Sequence, residues 1–197
     1  LLSAQRPAII AGGGVITANA SEQLRQLAEK VGAAVGYTFN GKGAISDNHP
    51  LCVGGTGQTG TTAANSLLAK ADVLLSVGCR FTDWSSGSYA KGATYAIPPC
   101  RLIHVDIDVH EIGKTYPTEV GIVSDAKAAL QAMASGISKQ QSTDCLGKRN
   151  SYHEEITKAK NDWVAMLNQR WNDGSAPFNF QYPYKVLREV MDRNGIL

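Results

Sequence analysis

The sequence has few charges, no long apolar run and no paired cysteine spacing, and each shortage removes a class of function. Charged residues make up 18% of the 197 positions and hydrophobic ones 43%. That balance is the opposite of a disordered chain, which combines low hydrophobicity with high charge. Apolar stretches such as Val73–Val77 break within a few residues, far short of the roughly 20 that a bilayer requires, so no membrane partner is expected. The opening residues lack both the basic region and the apolar core of a signal peptide. A net charge of +2 with no Lys/Arg cluster gives no reason to expect nucleic acid. Cys52, Cys79, Cys100 and Cys145 show neither zinc-knuckle nor redox-pair spacing and read as small buried hydrophobes in a reducing cytoplasm. Asn19-Ala20-Ser21 matches a glycosylation sequon but has no secretion signal to go with it.

What the chain has in excess is glycine, twenty residues, which argues against a long coiled coil. Short apolar runs alternate with helical patterns. Ala8–Ala11 predicts a strand, followed by a helix with Ser21 as N-cap and Leu24, Leu27, Ala28 and Val31 on one face. Further strands are expected at Ala33–Tyr37, Val73–Val77, Leu102–Val105 and Val120–Val123, with a helix from Asp125 to about Met133. Strands without alternation are buried on both faces, so the pattern predicts an α/β fold: a doubly wound, mainly parallel, Rossmann-like sheet of five to six strands. This central α/β domain is expected over residues 1–137. Residues 138–176 read as a connector in which Ser138–Gly147 is a polar linker and a long helix runs from about Ser151 to Trp171. Residues 177–197 read as the truncated start of another domain, with a helix over Tyr184–Met191. The absence of an initiator Met, and an ending of helix, Gly195 and the apolar pair Ile196-Leu197, predict a piece of a longer polypeptide.

Open parallel sheets bind ligands beyond the carboxyl ends of their strands, and the candidate site residues sit there. Gly12-Gly13-Gly14 follows the first strand, where glycines permit close ligand approach or a tight turn. Gly55–Gly60 matches GxGxxG and precedes a helical stretch, as a pyrophosphate seat does. Only Leu51–Val53 precedes it as a strand, however, and no acidic residue ends the next strand. The same stretch misses the Walker pattern, since Thr61 stands where Lys is needed. Arg80, after Gly78-Cys79, is placed to meet a phosphate or carboxylate, or to pair with Asp83. Asp106 and Asp108 end a strand and suit ribose hydroxyls, Asp108 also suiting the N-cap of a short helix near Glu111. The four histidines form no nucleophilic pairing and show no metal-ligand spacing. No catalytic or metal-binding residue is assigned.

Taken in order, these segments resemble the central domain of thiamine-diphosphate-dependent enzymes of the acetolactate synthase type. The resemblance lies in Arg6-Pro7 leading to Ala11-Gly12-Gly13-Gly14, TGQTGTTAAN at Thr56–Asn65, Ala71–Asp83, IHVDIDVHEIGK at Ile103–Lys114, and Ser124-Asp125-Ala126 before a helix. It covers about residues 6–134, and residues 182–197 look like the first helix of the following thiamine-diphosphate-binding domain. The resemblance implies a larger enzyme acting on a 2-oxo acid or related carbonyl compound, assembled as a homodimer or homotetramer. Thiamine diphosphate and magnesium would then be held by a glutamate and a GDG…NN motif on other domains. It further implies FAD or another adenine nucleotide at Gly12, Gly13, Gly14, Gly57, Gly60, Gly78, Arg80, Asp106 and Asp125. FAD-containing members carry an Arg four residues after the equivalent of Arg80, where this chain has Trp84; that departure counts against FAD. The text WSSGSY at Trp84–Tyr89 looks more like the trihydroxycyclohexanedione hydrolase branch. The rivals are that hydrolase, a free-standing NAD-binding domain, and a scaffold whose ligand site has decayed.

Overall fold

The computed structural model describes residues 1–177, 179–192, 194 and 195. Strands β1 (Pro7–Ala11), β2 (Ala34–Tyr37), β3 (Cys52–Gly55), β4 (Val73–Val77), β5 (Arg101–Asp106) and β6 (Val120–Val123) form one sheet in the order β3-β2-β1-β4-β5-β6. Every pairing is parallel, with Ile9 opposite Val35 on one side and Leu75 on the other. β1 and β4 are buried at all positions, which is why their text runs apolar instead of alternating. The edge strand β6 is mostly exposed.

Helices α1 (Gly13–Thr17), α2 (Ser21–Val31), α3 (Thr62–Ala69), α4 (Ala126–Ser135), α5 (Lys139–Gly147), α6 (Asn150–Trp171) and α7 (Tyr182–Val190), with a short 3-10 helix at Phe39–Gly41, complete the described elements. Side chains of successive strand residues point to opposite faces, so the sheet builds two cores. Ile9, Val35, Leu75 and Val105 meet Leu24 and Leu27 of α2 and Leu130 of α4. Ile10, Leu74 and Leu102 meet Leu67 and Leu68 of α3, with Tyr152 and Ile156 of α6. This is the doubly wound arrangement, and its strand order reverses between β1 and β4.

Four local readings need correction. Ser21 is the first residue of α2 rather than its cap: Asn19 adopts a left-handed φ of 50° and Ala20 becomes the N-cap, without a side-chain bond. A left-handed Asn ends α1 so tightly that the next helix starts at once. The expected linker at 138–147 is helix α5, opened by a capping box in which Ser138 Oγ accepts from Gln141 N–H and the Gln141 side chain accepts from Ser138 N–H. Cys145 of α5 is buried, and Ser142 Oγ donates to the Lys30 carbonyl. Asp108 caps a turn, accepting from His110 N–H at 2.9 Å, and the stretch through Glu111 remains turns rather than a helix. The final helix starts at Tyr182, with Pro183 in its first turn, where a missing N–H costs nothing. The apolar pair Ile196-Leu197 lies outside the described residues.

Candidate functional site

The reversal of strand order opens a crevice beyond the carboxyl ends of β1 and β4, the usual ligand position in such sheets. A cleft of about 400 Å³ lies there, lined by Gly13 and Gly14, Thr38–Asn40, Gly78–Thr82, Trp84, Ser85, Val105–Ile107 and Ser124–Ala126. Its size is at the small end of the roughly 300–1,000 Å³ typical of small-molecule sites. Of the expected site residues, Gly13, Gly14, Gly78, Arg80, Asp106 and Asp125 meet in this cleft; Gly12, Gly57 and Gly60 do not line it.

The glycines at the crevice mainly let two backbones touch. Gly12 N–H donates to the Val77 carbonyl at 2.9 Å and Gly14 N–H to the Gly78 carbonyl at 3.1 Å. A Cβ on Gly12 would sit 1.9 Å from the Gly78 oxygen, and one on Gly14 would sit 2.7 Å from the Gly78 Cα. Gly78 itself has φ +56°, and its own Cβ would meet the Gly14 backbone at 2.6 Å. The turns after β1 and β4 are thus stitched together by amides of the β1 turn donating to carbonyls on the β4 side, while Gly78 N–H donates to the Val105 carbonyl.

The GxGxxG loop is closed in a similar way. Thr56 N–H donates to the Tyr37 carbonyl, Gln58 N–H to that of Trp84, Gly60 N–H to that of Gly57, and Thr61 N–H to that of Gly55. Asn65 grips Gly57 twice, accepting from its N–H at 3.0 Å and donating to its carbonyl at 2.9 Å. A Cβ on Gly57 would lie 2.0 Å from the Trp84 carbonyl, and one on Gly60 would lie 2.6 Å from the Gly55 carbonyl. The loop is a packing element against Trp84–Ser88, with Gln58 Nε2 donating to Ser88 Oγ.

What faces the cleft is side-chain chemistry. Asp106 is 7% exposed, and its Oδ1 accepts from Asp108 N–H at 3.0 Å. Thr38, at the carboxyl end of β2, is 8% exposed and lines the cleft. Asp125 caps α4 through Oδ1, accepting from Ala128 N–H. Arg80 is exposed and, among the described residues, pairs with neither Asp83 nor any other acid. Phe39 and Trp84 line the cleft with exposed rings. The sequence reading missed Thr38 and Phe39; their position at the carboxyl end of a strand was the available signal.

The other reactive groups are structural. His104 Nε2 donates to the Cys79 carbonyl at 3.0 Å, and burial holds its imidazole below the ordinary value. Burial pushes the thiols of Cys52, Cys79 and Cys100 up to about 11, which removes thiolate character. All four cysteines are free and buried. Among the described residues no group of three or more His, Cys, Asp or Glu is placed to hold a metal ion. No described helix is long and apolar enough to cross a membrane.

A dinucleotide diphosphate needs amides and cations, and at this cleft Gly12 and Gly14 N–H donate to carbonyls of the β4 side instead. Arg80 is the single cation lining the cleft, against the carboxylates of Asp106 and Asp125.

Comparison with known proteins decides the family. The family described as "Thiamine pyrophosphate enzyme, central domain" matches residues 1–133. The chain belongs to this family. The six-stranded parallel sheet agrees with a thiamine pyrophosphate enzyme central domain, and α5 to α7 lie beyond the matched residues. A probable acetolactate synthase large subunit of Methanococcus aeolicus is 37% identical over 195 residues, covering 97% of this chain and 31% of the relative. One from Methanocaldococcus jannaschii is 38% identical over 192 residues, covering 98% and 30%. A 3D-(3,5/4)-trihydroxycyclohexane-1,2-dione hydrolase of Clostridium tetani is 34% identical over 168 residues, covering 85% and 24%. The central-domain chain therefore spans about a third or less of the length of these relatives.

Proposed function

We propose that this chain is the central domain of a larger thiamine-diphosphate-dependent enzyme of the acetolactate synthase type, acting on a 2-oxo acid or related carbonyl compound. The observation that carries the reading is a match running through 97% of this chain to an acetolactate synthase large subunit, of which it covers 31%. Thiamine diphosphate supplies an electron sink for carbanion chemistry when bound. In this reading the cofactor and its magnesium are held by other domains, so the work of this chain is mainly structural. The two-core sheet fixes the flanking domains, and the mouth of the β1/β4 crevice lines part of the path to the reacting centre. Residues 1–137 form the central domain, 138–176 the connector and 177–197 the start of the cofactor-binding domain. The parent is a cytoplasmic homodimer or homotetramer.

A second reading has support of its own. The hydrolase of C. tetani aligns over 85% of the chain, and Trp84–Tyr89 resembles that branch. The full-length protein, loaded with thiamine diphosphate and magnesium, separates the two. Carbon dioxide released from pyruvate supports the carboligase. Opening of a trihydroxycyclohexanedione ring without carbon dioxide supports the hydrolase. Absence of any activity dependent on thiamine diphosphate, from folded protein, refutes both.

A further inference from the structure

We infer that Asn40 is a site of slow chemical modification, gated by the turn that holds it. Its side-chain amide is lost, giving aspartate or isoaspartate, only while the 38–42 turn is open, and the isoaspartate form cannot close that turn again. This stands apart from any catalytic activity of the parent enzyme. Of the two Asn-Gly pairs in the chain, Asn194-Gly195 follows α7 at the surface, whereas Asn40-Gly41 lies in the 3-10 helix Phe39–Gly41 after β2. Asn40 is exposed to water and Gly41 is buried. Glycine is required at 41 because the turn is pressed on the end of β1. A Cβ there would lie 2.1 Å from the Ala11 carbonyl oxygen and 3.2 Å from the Gly12 carbonyl carbon. Thr38 N–H donates to that same Ala11 oxygen at 3.0 Å, and Gly41 N–H donates back to the Thr38 carbonyl at 2.9 Å. Packing therefore places after Asn40 the one residue whose own nitrogen is least shielded by a side chain.

The reaction needs only water. The Gly41 nitrogen gives up its proton to solvent and attacks Cγ of Asn40. A C–N bond forms, the Cγ–Nδ2 bond breaks, and Nδ2 takes a proton from solvent and leaves as ammonia. The product is a five-membered imide closed by the Gly41 nitrogen. Water then opens the ring at one of its two carbonyl carbons. Breaking the new Cγ–N bond gives aspartate. Breaking the bond from that nitrogen to the main-chain carbonyl carbon gives isoaspartate, with the chain rerouted through Cβ. Either way one water is taken up and one ammonia released. The closed turn blocks the first step. Its Gly41 N–H is committed to the Thr38 carbonyl, and swinging the peptide towards Cγ requires Gly41 to leave its place against Ala11. Local opening is therefore the gate. Rerouting through Cβ adds a carbon to the backbone at a point where even a single Cβ finds no room. Isoaspartate thus holds the turn open, whereas aspartate, with its backbone unchanged, does not. Thr38, Phe39 and Asn40 form one wall of the crevice, so the conversion loosens that wall permanently.

The test ages the full-length protein in mildly alkaline buffer, folded and in guanidinium chloride, and follows the peptide carrying residue 40 by mass spectrometry. The expected conversion is at least about tenfold slower in the folded protein, the ratio reporting the opening equilibrium. Asn40→Gln, which would have to close a six-membered ring, should stop the conversion in this peptide. Samples of the folded, aged protein are also exposed briefly to deuterated water and digested, and the Asn, Asp and isoAsp forms of the peptide are separated by chromatography. The isoaspartate form should carry more deuterium than the asparagine form, and the aspartate form the same. Equal rates in folded and unfolded protein would remove the gate. No conversion in the unfolded chain, or conversion that persists in Asn40→Gln, would remove the site. Equal deuterium in the isoaspartate and asparagine forms would remove the one-way step, and each of these results overturns the inference.

Discussion

Arg149 offers the sharpest check on how the chain is held together. It lies at the junction of α5 and α6, is 2% exposed, and forms no salt bridge among the described residues. Its guanidinium instead serves backbone carbonyls: NH2 donates to Leu1 at 2.7 Å and Ala4 at 2.6 Å, Nε donates to Ala4 at 3.1 Å, and NH1 donates to Val31. One side chain therefore ties the start of the chain, the end of α2 and the start of α6. Replacing it with Met keeps most of the apolar stem and removes every donor. The carbonyls of Ala4 and Val31 stay buried, and each unsatisfied group costs roughly 1–3 kcal/mol. Relief from burying a cation offsets part of this, leaving a loss of about 3 kcal/mol. For a chain of this length that lowers Tm by roughly 6–12 °C. Arg149→Lys should recover little, because an ammonium cannot present the planar fork. Urea unfolding followed by circular dichroism gives the free energy, and limited proteolysis reports whether α5 and α6 detach first. A Met variant as stable as the parent would show that the clamp contributes nothing.

Other expectations follow from the same contacts. Gly12→Ala forces a Cβ to within 1.9 Å of the Gly78 oxygen and should cost about 3 kcal/mol, the upper end for overpacking. Gly147→Ala, where no atom lies within 4 Å, should change stability by less than about 1 kcal/mol; equal unfolding midpoints for the two variants would contradict the close-approach account. Burial lowers the folded-state pKa of His104 below 6.5, so near and below that pH the unfolded chain binds more protons than the native one. Stability should then fall as pH drops through about 6.5 and be flat above it for this group. His104→Gln should shallow that slope in a series of Tm measurements from neutral to acidic pH. Asp125→Ala removes the side-chain cap of α4 and should cost about 1 kcal/mol in chemical denaturation.

Strands β1, β2, β4 and β5 were legible to within a residue or two, because burial leaves an unbroken apolar signature in the text, and β6 was legible from its β-branched run although it is a mostly exposed edge. The helices α2, α4 and α6 were legible from their one-sided apolar spacing. α5 was not: only Cys145 among its nine residues is buried, so hydrophobic periodicity has almost nothing to report. Its one local signal was the Ser138–Gln141 capping pair, which requires reading side chains as hydrogen-bond partners rather than as polarity. Arg149 was invisible for a related reason. A lone basic residue in a polar stretch reads as solvated, and its carbonyl partners lie more than a hundred positions away.

The candidate site shows why glycine motifs mislead in a single sequence. Glycine is required wherever anything approaches the backbone closely, and the text does not say whether that neighbour is a ligand or another strand turn. In this fold the reversal between β1 and β4 brings Gly12 and Gly14 against Gly78, and the loop at Gly57 against Trp84. The neighbour is protein in each case, and hydrogen bonds between the two loops accompany the approach. The acidic residue at the end of β5 is different. The Asp106 carboxylate closes the turn after its strand by accepting from Asp108 N–H, and it also lines the cleft. Side-chain chemistry at a strand end therefore says more about a ligand site than a glycine motif does, because a glycine can be required by packing alone.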